Sequence, residues 1–256
     1  MEAAVELEKV SQVFVNGSEA RLAVEQISLQ VRPGEFVSLV GPSGCGKTTI
    51  LSIAAGLLRP TQGTARVFGE AVDRPSERVG YMLQQDYLFP WRTIIENATL
   101  GLELRGRLNA ETKQYALHLL EEMGLADVAR SYPSQLSGGM RQRVALVRTL
   151  ATEPDILLLD EPFSALDYRT KLQLEDLVWD TLKHRGKTAL LVTHDISEAI
   201  AMSDRVLVLN RNPGRLRREL AIPQRLRADS PFYAREQPGF QELFQDIWQE
   251  FESMER

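Results

Sequence analysis

The first third of the chain has the alternation of apolar and polar residues that is typical of short strands. VELEKVSQVFV and ISLQV both alternate, and EFVSLV leads directly into a glycine-rich loop. From Lys47 to Leu58 apolar residues recur at helical spacing instead, and GTARVF and RVGYML then resemble two further strands. This part of the chain therefore predicts a set of strands interrupted by one helix.

The middle of the chain has a helical pattern. It covers about residues 93–129, with Gly106 and Gly124 as breakers, and it resumes after Gly139. In the resumed helix one face is predicted to be apolar; it carries Met140, Val144, Val147 and Ala151. We expect these helices to form a unit of their own.

Beyond this unit, strands and helices alternate again. DILLLD is a short apolar run bounded by charge, which is typical of a strand buried in a parallel sheet. A helix over 168–184, a strand TALLVTH and a helix DISEAIAM follow, and Asp195 with Glu198 predicts a capping box at the start of that last helix. DRVLVL and RLRREL are the final strand patterns. The sequence therefore predicts a mixed α/β core with a helical insertion.

The tail differs in character from the rest of the chain. After Pro231 and Pro238, the stretch GFQELFQDIWQEF predicts an amphipathic helix. Its apolar face would carry Phe240, Leu243, Phe244, Ile247, Trp248 and Phe251. We favour packing of this helix on its own domain, and docking on a partner protein is the alternative.

Composition narrows the class of protein. The chain has 256 residues and a net charge of -5, which argues against a dedicated nucleic-acid binder. Cys45 is the only cysteine, which excludes disulfides within the chain and all-cysteine zinc sites. No apolar run reaches the length of a membrane span, and the acidic start does not resemble a signal peptide. We therefore expect a soluble intracellular protein.

The glycine-rich loop has the pattern of a phosphate-binding loop. Gly41, Gly46, Lys47 and Thr48 match G-x-x-x-x-G-K-[ST], between a predicted strand and a predicted helix. Backbone N–H groups of such a loop surround phosphate oxygens, the lysine adds a cation and the threonine hydroxyl binds Mg²⁺. The predicted nucleotide site also includes Pro42, Ser43, Gly44, Cys45 and Thr49. Cys45 is interpreted as a small filler, with a thiol accessible beside the nucleotide as the alternative.

An acidic pair follows the DILLLD strand. Asp160 would end a buried strand, where its carboxylate can face the Mg²⁺ held by Thr48. Glu161 would lie on the γ-phosphate side and accept a proton from the attacking water or orient it. The alternative is that this pair only begins a solvated loop.

A second anion site is predicted in LSGGMRQRVAL. Ser137, Gly138 and Gly139 place a hydroxyl and backbone donors at the start of a helix. An ordinary helix cap is the alternative. The order of these motifs over about residues 5–220 resembles the ATP-binding subunit of ABC transporters, in which this stretch is the signature motif. That resemblance implies a P-loop NTPase core with a mixed sheet, an antiparallel β subdomain and a helical insertion.

The resemblance also implies residue roles. Gln84 would be the glutamine that senses the γ-phosphate and contacts Mg²⁺, with Gln85 as the alternative register. His194 would be the switch histidine near the γ-phosphate, and Asp167 would reach across the dimer. Phe14 would stack on adenine, with a simple strand residue as the alternative. The catalytic residues would be Glu161, His194 and Gln84.

Domains and partners follow from the same resemblance. It implies an ATPase domain over 1–222, a helical subdomain over about 86–150 and a tail over 223–256. Two cassettes would pair head to tail, so that each signature motif closes on the ATP of the other. The dimer would lie at the cytoplasmic face of the membrane under two transmembrane permease subunits, with a solute-binding protein as an indirect partner and no nucleic acid.

The loop DYLFPW suggests how the permease binds. Phe89 and Trp91 follow Gln84 in the region where the family receives its membrane subunit, and burial in the chain's own helical insertion is the alternative. This loop, LSGGM and the tail after NPGRLRREL resemble importers of nitrate, sulfonate and taurine. A basic cluster lies around the last predicted strand; a solvated strand edge is favoured over lipid contact for Arg211, Arg215, Arg217, Arg218, Arg225 and Arg227.

Other functions remain as alternatives at this point. A cassette ATPase that acts on nucleic acid or the ribosome is disfavoured by the acidic composition and by the lack of zinc cysteines or a long coiled coil. An exporter ATPase differs only in transport direction. A P-loop kinase for small molecules would leave LSGGMRQR and His194 unexplained.

Overall fold

The strand patterns of the sequence pair into two sheets in the computed structural model, which describes residues 2–255. The strands of this range are β1 (Val5–Asn16), β2 (Glu19–Val31), β3 (Phe36–Val40), β4 (Gln62–Val67), β5 (Glu70–Ala71), β6 (Val79–Met82), β7 (Ile156–Asp160), β8 (Thr188–Thr193), β9 (Arg205–Leu209) and β10 (Leu216–Ala221). The α-helices are α1 (Lys47–Ala54), α2 (Ile94–Ala98), α3 (Leu100–Leu104), α4 (Ala110–Glu122), α5 (Gly138–Leu150), α6 (Tyr168–His184), α7 (Ile196–Met202), α8 (Pro231–Ala234) and α9 (Phe240–Glu255).

The larger sheet carries the site-bearing loops. Its strand order is β10-β9-β3-β8-β7-β6, and every neighbouring pair is parallel except the edge pair β9 and β10. All residues of β3, β7 and β8 are buried, as their uninterrupted apolar runs predict. Because parallel strands end at the same edge, the segments that follow β3, β6, β7 and β8 meet there.

The smaller sheet is antiparallel and has the order β2-β1-β4-β5. Its apolar side packs on α1 and the large sheet, with Val10, Val24 and Ile27 fully buried. The strand predicted from ISLQV begins earlier, at Glu19, because β2 forms a long hairpin with β1. The hairpin lies beside the glycine-rich loop, where Val24 is so close to Gly46 that no Cβ would fit between them.

The helical stretch predicted over residues 93–129 divides into three α-helices and a short 3-10 helix, Ala126–Val128. Thr93 and Asn109 cap α2 and α4, each in a reciprocal capping box, and a turn at Gly106 separates the pair. These helices pack on α5, whose predicted apolar face is buried at Val144, Val147 and Ala151. The core of this unit continues to the α6 side of the large sheet, so the insertion is anchored on the strands.

The helix predicted over 168–184 forms with those bounds and is capped by Asp167. Only one half of the capping box predicted at α7 forms, the half contributed by Asp195. Asp195 accepts hydrogen bonds from the N–H groups of Ser197 and Glu198, at 2.8 and 3.1 Å, but the Glu198 carboxylate binds Lys171 instead of turning back. The tertiary ion pair thus replaces the local one.

The tail packs on the chain itself. Phe240 and Ile247 of α9 are buried against α7 and β9, in agreement with the favoured interpretation. Trp248 remains 46% exposed and stacks on Phe244. None of the helices within residues 2–255 is both long and apolar enough to cross a bilayer.

Candidate functional site

The glycine-rich loop connects β3 to α1 and encloses the ammonium group of Lys47. The Lys47 Nζ donates to the carbonyl oxygens of Gly41 and Pro42, at 2.6 and 3.1 Å, and the side chain is buried. Gly46 has φ 93°, and a Cβ there would lie 2.3 Å from Val24 Cγ1. Only glycine fits such a position, which explains why the motif requires it.

Cys45 lies inside this loop and is fully buried. Burial raises the pKa of its thiol, while the nearby Lys47 acts in the opposite direction. A buried thiol with a raised pKa is a poor nucleophile. The structure therefore favours the interpretation of Cys45 as a small filler.

A cavity of about 510 Å³ opens beside the loop. Its lining residues are Phe14, Arg21, Ala23, Ser43, Gly44, Gly46, Lys47, Thr48, Thr49, Gln84 and Glu161. The lining thus comes from the phosphate loop with the start of α1, from the adjacent β1–β2 hairpin, and from residues that follow strands at the carboxyl end of the large sheet. Phe14, at the hairpin end, is 44% exposed and presents an aromatic surface to the cavity.

Two oxygen donors for a divalent cation lie close to each other near the phosphate loop. Thr48 lines the cavity, and Asp160, which ends β7 and is 1% exposed, lies near its hydroxyl. Burial raises the pKa of Asp160, and the nearby Thr48 hydroxyl counteracts the rise. A hydroxyl beside a buried carboxylate is the oxygen-donor set that Mg²⁺ prefers, so the residues present fit that ion.

The Glu161 carboxylate, which follows β7, lies beside residues that follow two other strands of the large sheet. Gln84 Nε2 follows β6 and donates to Glu161 Oε2 at 3.0 Å, and His194 Nδ1 follows β8 and lies 3.4 Å from Glu161 Oε1. The Glu161 backbone has φ 49°, an uncommon value for this residue type that turns its side chain towards the cavity. The structure thus brings together all three residues predicted to be catalytic, and it brings Gln84, not Gln85, to Glu161.

Sequence reasoning missed two residues of this region. Arg21 lines the cavity from β2, and its Nη2 lies 3.7 Å from the position that a Cβ of Gly44 would take. Gln142 is 4% exposed; its Nε2 donates to the Glu161 carbonyl at 3.1 Å, and its Oε1 accepts from the Ala165 N–H at 3.1 Å. A glutamine in the predicted helix that follows LSGG was the available signal for this second residue.

The signature residues lie elsewhere on the surface. Ser137 caps α5 by accepting from the Met140 N–H at 3.3 Å, and Ser137 and Gly138 are exposed. Within residues 2–255, the cavity beside the phosphate loop is not lined by Ser137, Gly138, Gly139 or Asp167. Asp167 is likewise outside the cavity and caps α6, where hydrogen bonds from Thr170 lower the pKa of its carboxyl. These four residues therefore form no part of the chain's own cavity.

The aromatic pair of the loop DYLFPW also lies on the surface. Phe89 and Trp91 stack with ring centroids 5.1 Å apart and are 37% and 71% exposed. Burial in the chain's own helical insertion is therefore the poorer interpretation of this pair. His118 and His184, which no motif includes, are exposed as well.

The fold and this cavity define a P-loop nucleotide-binding protein. The family model for ABC transporters matches residues 24–164, more than half of the chain, so this protein belongs to that family. It is thus the ATP-binding subunit of an ABC transporter, and its domain binds ATP.

Related proteins agree with this assignment. An uncharacterized ABC transporter ATP-binding protein of Bacillus subtilis is 52% identical over 98% of this chain and 96% of its own. The taurine import ATP-binding protein of Ruegeria pomeroyi is 41% identical over 85% of this chain and 81% of its own. The nitrate import ATP-binding protein of Synechocystis is 41% identical over 85% and 82%, respectively.

A solved structure supports the fold. The dimeric structure of a bacterial ABC transporter cassette superposes with a TM-score of 0.79 at 34% identity, covering 86% of this chain and 99% of that one. A dimeric post-hydrolysis state of an ATP-binding cassette, bound to ADP and phosphate, gives a TM-score of 0.78 at the same identity. The mixed sheet, antiparallel sheet and helical insertion expected from the sequence are therefore correct.

Proposed function

We propose that this protein hydrolyses ATP to energise the import of a small solute by an ABC transporter. The observation that carries the proposal is the position of Glu161, which faces the phosphate-loop cavity between Gln84 and His194. A carboxylate at that place can act as general base or orient the attacking water. ATP binding alone would not need such an arrangement.

Each group of residues in the site has its own role in the proposed hydrolysis. The loop from Gly41 to Thr49 holds the β- and γ-phosphates with backbone N–H groups and Lys47. Thr48, Asp160 and Gln84 would hold Mg²⁺, which would neutralise charge on the phosphate oxygens. Glu161 then positions water, and His194 contacts the γ-phosphate. Phe14 supports the adenine by stacking.

The active unit in this proposal is a head-to-tail dimer. Ser137, Gly138 and Gly139 offer a hydroxyl and backbone donors at a helix start that lies away from the chain's own cavity. An anion site of this kind suits the γ-phosphate held by a second copy. Asp167, also outside that cavity, would contact that copy as well. The dimeric cassettes among the similar structures support this arrangement.

The proposal includes a membrane partner. Exposed Phe89 and Trp91 form an apolar surface suited to a transmembrane permease subunit, two of which would cover the dimer at the cytoplasmic face of the membrane. The ATPase domain would be residues 1–222 with its helical subdomain at about 86–150, and 223–256 would be the tail. The names of the taurine and nitrate import relatives support import of such solutes, delivered by a solute-binding protein.

The shared site can be tested with variants that bind ATP and turn it over slowly. Light-scattering mass is measured for Glu161→Gln with and without MgATP. We expect dimers only with MgATP, because the nucleotide phosphates link the two faces. The matched control is Lys47→Ala/Glu161→Gln, which should remain monomeric because it lacks the cation of the loop.

A mixing experiment assigns the second half of the site. Ser137→Arg/Glu161→Gln and Lys47→Ala/Glu161→Gln are each expected to stay monomeric. In a heterodimer of the two variants, the intact phosphate loop of the Ser137→Arg chain faces the intact signature motif of the Lys47→Ala chain. The mixture should therefore form dimers with MgATP. A Glu161→Gln chain that binds MgATP and stays monomeric, or Glu161→Gln turnover at the parent rate, would contradict the proposed site.

A further inference from the structure

A buried ionic network connects the tail to the helix that follows His194. Lys171 Nζ, on α6, lies 2.7 Å from Asp195 Oδ2 and 2.8 Å from Glu198 Oε2 on α7. Glu175, one turn after Lys171, is paired with Arg235 at 2.6 Å, directly after α8. Two helices of the ATPase core and the tail thus share one cluster of charges.

Most of the cluster is withdrawn from water; the exception is Asp195, whose side chain is 38% exposed. The side chains of Glu175 and Glu198 are 0% and 3% exposed, and those of Lys171 and Arg235 are 16% and 15% exposed. One oxygen of each glutamate, Oε1 in both, has no hydrogen-bond partner among the described residues. Three carboxylates share two cations here, so removal of either cation leaves a large imbalance of buried charge.

Lys171 is the member with competing partners. It holds Asp195 and Glu198 closely, while its distance to Glu175 Oε1 is 3.8 Å. Arg235 satisfies Glu175 from the other side. Without that cation, the buried Glu175 carboxyl group takes up a proton more readily; once it is ionised, it would attract Lys171 away from Asp195, because a buried charge requires a partner.

Asp195 in turn determines where α7 begins. It follows His194 directly, its carboxylate caps α7, and its own N–H donates to Thr193 Oγ1 at 3.0 Å. His194 Nδ1 lies 3.4 Å from Glu161 Oε1, so a small shift of this turn alters the geometry of the catalytic group. Misplacement of a reacting group by about 1 Å can cost roughly a hundredfold in rate.

We infer that Arg235, from the tail, is a positioning residue for His194: by pairing with Glu175 it leaves Lys171 to hold Asp195. The inference rests on the proposed role of His194 in ATP hydrolysis. It gives the tail an indirect role in ATP hydrolysis, although the tail lies outside the phosphate-loop cavity. This effect depends on the positive charge of the Arg235 guanidinium, and the volume of the side chain matters less.

The test compares steady-state ATP hydrolysis by three variants with the parent chain at an alkaline pH at which Glu175 is ionised, because the competition for Lys171 requires that charge. Arg235→Met keeps the bulk of the side chain and loses its charge; we expect kcat to fall on the order of tenfold with the KM for ATP unchanged. Arg235→Lys keeps the charge and should recover most of that loss. Arg235→Met/Glu175→Gln removes the competing carboxylate and should also recover kcat.

These outcomes separate positioning from a merely structural role. Unchanged kcat in Arg235→Met would overturn the inference, and so would a loss that Glu175→Gln fails to reverse, since the competition for Lys171 would then not be the cause. A second cycle uses His194→Ala, in which Arg235→Met should have little further effect. An additive loss there would also overturn it. A parent chain without ATPase activity would instead contradict the proposed function.

Discussion

Glu175 makes the stability of this protein depend on pH in a direction opposite to that of most carboxylates. Burial raises the pKa of Glu175 from 4.5 to about 7, although Arg235 and Lys171 act to lower it. Between these two values the folded chain binds more protons than the unfolded chain, so the free energy of unfolding falls as pH rises through this window. Replacement by glutamine removes the titration.

The magnitude follows from the pKa shift. At 1.36 kcal/mol for each pKa unit, the full penalty above the folded pKa is about 3 kcal/mol. Roughly 2 kcal/mol of this penalty develops between about pH 5 and pH 7.5, because part of it has already developed below pH 5. The parent should therefore lose about 2 kcal/mol more than Glu175→Gln across that interval.

Urea unfolding followed by tryptophan fluorescence measures this difference. Trp179 and Trp248 lie on α6 and α9, so they report on the elements around the cluster. Glu77→Gln is the matched control, because this glutamate is exposed in a turn and has no ion pair among the described residues, so its replacement should leave the pH dependence as in the parent. Equal slopes for the parent and Glu175→Gln would refute the assignment of this pH dependence to Glu175.

Two further predictions concern the phosphate loop and the tail. Lys47→Ala should abolish ATP binding or turnover while the chain still folds, measured by fluorescent-nucleotide titration and circular dichroism; ATP affinity and turnover as in the parent would contradict the role of the loop. Ile247→Ala removes a fully buried side chain from the contact of α9 with the core and should cost roughly 2–5 kcal/mol in the free energy of unfolding, whereas Trp248→Ala should cost less because that ring is half exposed. Equal losses would mean that α9 does not pack as described.

Local patterns predicted most elements of this fold. The helix Tyr168–His184 was predictable because Asp167 caps it and its apolar face keeps one spacing. The strands β3, β7 and β8 were predictable because each is an unbroken apolar run. The grouping of Glu161 with Gln84 and His194 depends on strand order, which a pattern along one chain does not contain.

Tertiary partners account for what the sequence did not reveal. Only the Asp195 half of the capping box predicted at α7 forms, because the Glu198 carboxylate pairs with Lys171. The basic cluster was interpreted as a solvated strand edge, and β10 is indeed an edge strand whose arginines are partly exposed. Four members of the cluster also form ion pairs, which the sequence did not reveal: Arg215 with Glu25, Arg217 with Glu250, Arg218 with Asp246 and Arg227 with Asp204. The pairs of Arg217 and Arg218 exist because α9 folds back on β10.

The order of strands in the large sheet has a consequence for synthesis of the chain. The strand β3, which leads into the phosphate loop, pairs with β8 and β9, and both are made late. On the ribosome, the buried run Phe36–Val40 therefore stays without its sheet partners until Thr193 has left the exit tunnel. Domains whose pairing spans such distances are slow to form and expose apolar surface meanwhile. A nascent chain truncated before β8 should be bound by chaperones and should not yet retain ATP.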